Sequence, residues 1–452
     1  MKVLHFPFGY APDPPGGTEA YVRGLCAALR RRGVECAVAA PATGAPGRYE
    51  VDGVSVHRFG HDPTDDPREL HGPGCARAVR EAMQVARAEG ADVVHLHAYT
   101  RAVSPALARA ARAAGMGVVF TYHTPSATCG RGSLLEWGRT PCDGRMDGAR
   151  CAACVLHARG LSAGASRVVA RAPAALGAAI GAAGARGRVW TALRMSELAR
   201  HHARMFRELV DAADAVVVLA RWSEAVMRAN GVPAGKLATS RPALPGELPA
   251  VPPRPRAAGS PLRVCFVGRM DPVKGLAGLI AAVRAAPGAP LRLDVHAAAA
   301  PGTEGLEARL RAAAAPDPRI RFAGPLPPER VVETIAGYDL LAVPSEVLET
   351  GPLVVLEAFA AGVPVLGSDL GGIAELVRAG TDGVLAAPGS LPAWRDALAR
   401  LAGDPAGVDR LRGGVRPPRT MAAAAGEMEA LYLRLAGRAV PAGAAAAEEA
   451  AR

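Results

Sequence analysis

The stretch DLLAVPSEVLETGPLVVLEAFAAGVPVLGSDLGG, residues 339–372, carries the reading of the fold. Its first seven residues form an apolar run of strand length, and Glu349 lies in the loop that follows. Pro352 suits the first position of a helix because its fixed φ is already helical and its missing N–H is not needed there. That helix carries Glu357 and stops at Gly362, before a second apolar strand, VPVLGS. Strand, helix and strand in this order predict a parallel pair covered by its crossover helix.

The same rhythm extends in both directions. Downstream of a Pro-rich stretch, ALPGELPAVPPRPRAAGSPLR, the runs RVCFVG, LRLDVHA, IRFAG and GVLAA add strands to the set. Upstream, Val3–Phe6, VECAVAAP, ADVVHLHA, MGVVFTYH and ADAVVVLA form a second series. Between the first two of these, Tyr21, Val22, Leu25 and Leu29 recur at helical spacing and Gly33 ends the helix. The expectation is an α/β protein of two Rossmann-like halves. Residues 1–245 form the first, with a Cys-rich loop at 125–157 and a helical insert at 158–210 that has no evident Rossmann role. A linker at 246–260 and a second half at 261–405 follow. A final helix within 406–436 is expected to pack back on the first half, and residues 437–452 to form a disordered tail. Ligands of open parallel sheets bind beyond the carboxyl ends of the strands, which for two facing sheets means a cleft.

Composition narrows the class. The 452 residues are half hydrophobic and 21% charged, which suits a globular protein. The formal charge of +11 raises nucleic acid as a partner, but only 4% of residues are aromatic and the arginines are widely spread, so none is expected. The densest basic stretch, Arg159 to Arg207, holds nine arginines and one acid, Glu197. A solvated helical face is one reading of it; an anionic acceptor or peripheral contact with a membrane surface is the other. The opening MKVLHFPFGY is broken too early by Pro and Gly for a signal peptide, and the expected location is cytoplasmic.

The residues after the strands carry chemistry. Gly268 is expected to let the backbone turn closely, with Arg269 and Lys274 about one helical turn apart as cations for a diphosphate. The helix start near Pro352 favours an anion. Glu349 and Glu357 would repel phosphate but accept paired hydrogen bonds from vicinal hydroxyls, about 1.5–3 kcal/mol for each charged bond. Gly371 and Gly372 offer bare amides at another helix start. Cations for a diphosphate beside carboxylates for diols describe a nucleotide sugar.

These segments, with VGRMDPVKGL and the N-terminal PPGGTEAYVRGLCAALRRRGVECAV, resemble the retaining GT-B glycosyltransferases of family 4. The resemblance implies that Glu349 contacts donor-sugar hydroxyls and Glu357 the nucleotide ribose, while Arg269 and Lys274 hold the diphosphate. Gly16 and Gly17 would approach donor or acceptor from the first half, and His123 would stand beside the sugar, although Thr124 follows it where relatives commonly have Asp. Retention of configuration is implied in the same way. With no Asp-x-Asp near these elements, transfer is expected to need no metal cofactor. A nucleotide-sugar 2-epimerase and a noncatalytic binding protein are the competing functions. The acceptor, a small molecule, lipid-linked intermediate or polysaccharide precursor, is not legible.

Eight cysteines occur, and Cys129, Cys142, Cys151 and Cys154 cluster at intervals of twelve, eight and two residues. The terminal C-A-A-C is a usual chelating pair, so a structural metal site is expected, zinc ahead of iron–sulfur, with His157 as a spare ligand. Cys26, Cys36, Cys75 and Cys265 read as small buried residues.

Overall fold

Parallel strands need both faces covered, and the crossovers that cover them dictate the layout of this chain. The computed structural model describes residues 1–437 apart from 14–15, 43–45, 247–258, 300–301 and 304. The expected linker, except at its ends, and the expected tail beyond Gly437 lie outside the described residues. The chain forms two units. One comprises Met1–Arg241 together with the C-terminal residues from Met421, and the other Pro242–Thr420.

The first unit carries β1 (Lys2–Phe6), β2 (Glu35–Pro41), β3 (Gly47–Val51), β4 (Val54–Phe59), β5 (Val93–Leu96) and β6 (Gly117–Tyr122). After these come β7 (Leu135–Glu136), β8 (Thr140–Pro141), β9 (Ala215–Val218) and β10 (Leu237–Thr239). Eight strands share one sheet in the order β10-β9-β6-β5-β1-β2-β4-β3. Only the β3–β4 hairpin is antiparallel, and its two-residue Asp52-Gly53 turn has positive φ at both positions, as such tight turns require. The central strands β1, β5, β6 and β9 are buried almost throughout.

The expectation that the insert has no Rossmann role is corrected in part. Helix Met195–Ala212 buries Met205, Phe206, Leu209 and Val210 and runs directly into β9, so it is the crossover between β6 and β9. The Cys-rich loop and four shorter helices are spliced into that crossover, which hides its period from a sequence reading. These shorter helices expose Val168, Leu176, Val189 and Trp190. The C-terminal helix Met421–Leu435 belongs to this unit, held by Arg32 Nε to Glu429 at 2.5 Å and Ser240 Oγ to Glu427 at 2.8 Å. No helix among the described residues is long and apolar enough to cross a membrane.

The second unit carries β11 (Leu262–Met270), β12 (Leu291–Ala299), β13 (Ile320–Phe322), β14 (Leu340–Val343), β15 (Val365–Ser368) and β16 (Gly383–Ala386). All are parallel, in the order β13-β12-β11-β14-β15-β16. Numbered within the unit, this is the 3-2-1-4-5-6 order of a doubly wound sheet. Leu262, Val264 and Phe266 of β11 face one apolar cluster while Cys265 faces the other, so the strand is covered on both sides. The strand order reverses between β11 and β14, and ligands of doubly wound sheets bind at such a switch point. Asp339, fully buried just before β14, clamps the pair. Arg263 of β11 donates to it through Nη2 at 2.8 Å and through its backbone N–H at 2.9 Å, and Arg412 adds a contact at 3.2 Å. Burial works to raise the Asp339 carboxyl, and the Arg263 bonds outweigh it, holding the group below its ordinary range.

Candidate active site

The loops after β11 and β14 meet at the switch point of the second unit. Asp271 caps a 3-10 turn, Pro272–Lys274, by accepting from the Val273 N–H at 3.0 Å. The turn then docks against the other loop, with the Glu346 N–H donating to the Val273 carbonyl at 2.8 Å. Gly275 follows at φ +70°, where a Cβ would stand 1.9 Å from the Pro344 carbonyl oxygen. Only glycine fits both the backbone angle and the contact. Gly275→Ala is therefore expected to destabilise this unit by about 3 kcal/mol or more, combining left-handed strain with a clash against backbone. Thermal melting of the purified variant checks this; a transition matching wild type would show that the two loops do not interlock.

The interlock brings Lys274 Nζ to 2.9 Å from Glu349 Oε2. Ser345 Oγ–H donates to the other oxygen, Glu349 Oε1. Glu349 is thus held by a cation on one oxygen and a hydroxyl on the other. Arg269 lies on exposed strand, paired with Ala298, and not a helical turn from Lys274 as expected. Gly268 is likewise inside β11, where a Cβ would meet only Phe266 at ordinary contact distance. The expected close turn at Gly268 is corrected: the tight position is Gly275.

Glu357 sits on helix Leu353–Ala360 among buried Val355, Leu356, Ala358 and Phe359. Its carboxyl is half-buried and has no hydrogen-bonding or ionic partner among the described residues. Burial pushes it up to about 7. The Gly371-Gly372 pair is corrected in part. The Gly372 N–H already donates to the Glu349 carbonyl at 2.7 Å, and a Cβ on Gly372 would lie 2.5 Å from that oxygen. The glycines let two backbones touch and so fix the Glu349 loop; the Gly372 amide is occupied.

In the first unit, Gly16 precedes helix Gly17–Arg31, and its N–H donates to Glu19 Oε2 at 3.0 Å. His123 follows β6 and shares a hydrogen bond of 3.0 Å with His97, which shares another of 3.0 Å with His5 of β1. His95 is held between Thr121 Oγ1 and Tyr432 Oη, each at 2.6 Å. Burial pushes His123 down to about 3 and His97 well below the usual imidazole range, so both are neutral at pH 7.

Cys129, Cys142, Cys151 and Cys154 line one pocket. His157 turns elsewhere: its Nδ1 lies 2.9 Å from the Leu161 carbonyl. Cys26, Cys36, Cys75 and Cys265 are buried.

Comparison with known proteins places this geometry in a family. The profile of Glycosyltransferase Family 4 matches residues 15–242, half of the chain, and that of Glycosyl transferases group 1 matches residues 261–404. The chain belongs to glycosyltransferase family 4. Among curated proteins this glycosyltransferase is similar to D-inositol 3-phosphate glycosyltransferase of Nocardia farcinica, 40% identical over 163 residues, 34% of this chain and 35% of that protein. The enzyme of that name from Corynebacterium glutamicum is 36% identical over 39% of this chain and 45% of its own. The chain thus spans less than half the length of the curated relatives it matches. Solved structures share its GT-B fold over nearly the whole chain. Sucrose-phosphate synthase from Thermosynechococcus elongatus aligns at TM-score 0.65 and 19% identity, covering 96% of this chain and 99% of that one. Anabaena HepE in complex with UDP and glucose aligns at 0.63 and 16%, covering 95% and 98%.

The glycosyltransferase also holds residues that sequence reading passed over. Ser345 stands four positions before Glu349, but nothing in sequence says that its hydroxyl turns back. The chain of imidazoles joins residues 92 and 26 apart, and its one visible trace is His-Leu-His at 95–97.

Proposed function

We propose that this glycosyltransferase takes a nucleoside diphosphate sugar as donor and transfers the sugar to an acceptor hydroxyl with retention of configuration. The observation that carries the reading is the Lys274–Glu349 ion pair at the switch point, followed on the next helix by the partnerless Glu357. Lys274, and Arg269 near the end of β11, would neutralise the diphosphate and the charge that grows on it as the glycosidic bond breaks. Glu349 would receive hydroxyls of the sugar, and Glu357 the ribose diol. In the first unit, the neutral His123 would offer a ring nitrogen to the sugar or acceptor without bringing a charge. The UDP and glucose held by HepE support the donor class.

With one oxygen held by Lys274 and the other by Ser345, Glu349 is a poor nucleophile. This favours a front-face transfer in which the departing phosphate accepts the acceptor's proton. A glycosyl adduct trapped on Glu349 would overturn that course.

The test is a thermal-shift screen against UDP-, GDP-, ADP- and dTDP-sugars, followed by product analysis. A donor at 100 times its dissociation constant stabilises the fold by about 2.7 kcal/mol, an easily measured shift. One nucleotide class should respond, and nucleotide release should require an acceptor. Conversion of the sugar without acceptor would favour the epimerase reading, and no response from folded protein would remove the donor site.

A further inference from the structure

We propose that Cys129, Cys142, Cys151 and Cys154 form a structural metal centre that takes one Zn²⁺ as a tetrathiolate. This site is separate from the donor residues and does not depend on the donor reading. Cys129 follows the 3-10 turn Pro125–Ala127, Cys142 directly follows β8, and Cys151 and Cys154 lie three apart on helix Gly148–Ala158. Three separate pieces of chain therefore deliver their sulfurs to one pocket. Residues three apart on a helix share a face, as a chelating pair must.

The backbone between the first two cysteines supports a ligand there. Leu134 and Trp137 adopt φ of +51° and +55°, values that cost a side-chain-bearing residue about 1–2 kcal/mol each. Such conformations persist where the surroundings over-determine them. Yet the cluster packed under this segment has only Ala152, Ala153, Leu156, Ala170 and Met195 as its buried members, a small core for so irregular a loop. Segments that lack a sufficient core need a cross-link or a metal.

The polar atoms point the same way. Arg131 and Arg150 both line the pocket, and Arg131 Nη1 and Arg150 Nε are buried donors without a hydrogen-bond partner. Neutral thiols are weak acceptors, whereas four thiolates around a divalent cation carry a net charge of −2 and accept such N–H groups well. One N–H···S contact is already made, from the Trp137 backbone to Cys154 Sγ at 3.3 Å. Zinc suits four thiolates in a closed tetrahedron.

Two tighter ligand groups occur among the described residues, His5 with Cys26 and Cys36 and His5 with His95 and His97, each set within 4.8 Å. Both are sealed in the core, where His5 Nδ1 and both ring nitrogens of His95 and His97 are taken up by hydrogen bonds. Cys129, Cys142, Cys151 and Cys154 form no group as tight as these, and metal binding requires their side chains to turn toward a shared ion. Binding would release the four thiol protons to solvent as four Zn–S bonds form.

The experiment is elemental analysis of the full chain purified under reducing conditions, with native thiol titration alongside. About one zinc per chain is expected, with four thiols unreactive until a chelator is added. Cys151→Ser and Cys154→Ser should each reduce zinc to about a tenth or less, while Cys265→Ser keeps it. If the serine variants do not fold, cobalt exchanged into the wild-type chain serves instead. It should give the thiolate charge-transfer and visible bands of a tetrahedral all-sulfur site. Metal-free protein with all four thiols reactive would overturn the proposal, as would paired disulfides or iron with acid-labile sulfide.

Discussion

Glu357→Gln is expected to make the ligand-free enzyme more stable at pH 8 while weakening its hold on a nucleotide sugar. The Glu357 carboxyl titrates near 7 in the folded chain against an ordinary value of 4.5, because burial disfavours its charge. The folded state therefore binds more protons than the unfolded state between these values, and stability falls as pH rises from about 4.5 to 7. Above pH 7 the full cost applies, about 3 kcal/mol from the shift alone and about 1–3 once water at its exposed edge is counted. A neutral amide escapes this cost. The variant and wild type should melt together near pH 4.5 and diverge above it in favour of the variant.

Donor binding should run the other way. An ionised Glu357 accepts both hydroxyls of a diol, and the amide offers one weaker acceptor, so affinity should drop about 10- to 100-fold. Only the ionised form binds well, so wild-type affinity should rise about tenfold from pH 6 to pH 8, while the variant stays flat. Calorimetric titration at several pH values, beside melting curves, checks both halves. A variant that binds like wild type, with no gain in stability at pH 8, would remove Glu357 from the donor site.

The second large effect is expected at Lys274. Its replacement by Ala removes the cation proposed to face the departing diphosphate and strips Glu349 of its Lys274 partner. Loss of one preorganised group that stabilises developing charge lowers turnover by on the order of 10²–10³. Because the two side chains act as a pair, Lys274→Ala and Glu349→Ala should not add: the double variant should lose less than the product of the single losses. Steady-state rates for the three variants decide it. Independent, fully multiplicative losses would mean that the ion pair does not persist in the working enzyme.

Lys274 and Glu349 stand in loops just past apolar strands and Glu357 on the helix after the second, so sequence alone offers all three as candidates. The alternation of strands and helices, visible in runs such as RVCFVG and DLLAVPS, depends on local burial and so survives in sequence. Misreadings fell where a local cue had a nonlocal cause. Gly268 looked like the turn residue, yet Gly275 is the one pressed against Pro344, about seventy positions away in the chain. Gly372 looked like a phosphate amide, yet it serves the Glu349 carbonyl. Helix Met195–Ala212 reads in sequence as part of an insert because the loop and helices before it break the expected spacing.

The sequence by itself determined the α/β class, the two series of strands and the chemical types available after them, since periodicity and side-chain chemistry are properties of neighbouring residues. Only the tertiary structure decided the strand order that sets β11 beside β14, the 2.9 Å contact of Lys274 with Glu349, and the isolation that lifts Glu357 to about 7. It also decided the chain of histidines behind His123 and the meeting of four cysteines at one pocket. Each of these depends on distance and burial between residues far apart in the chain, and no local pattern encodes a dielectric or a contact.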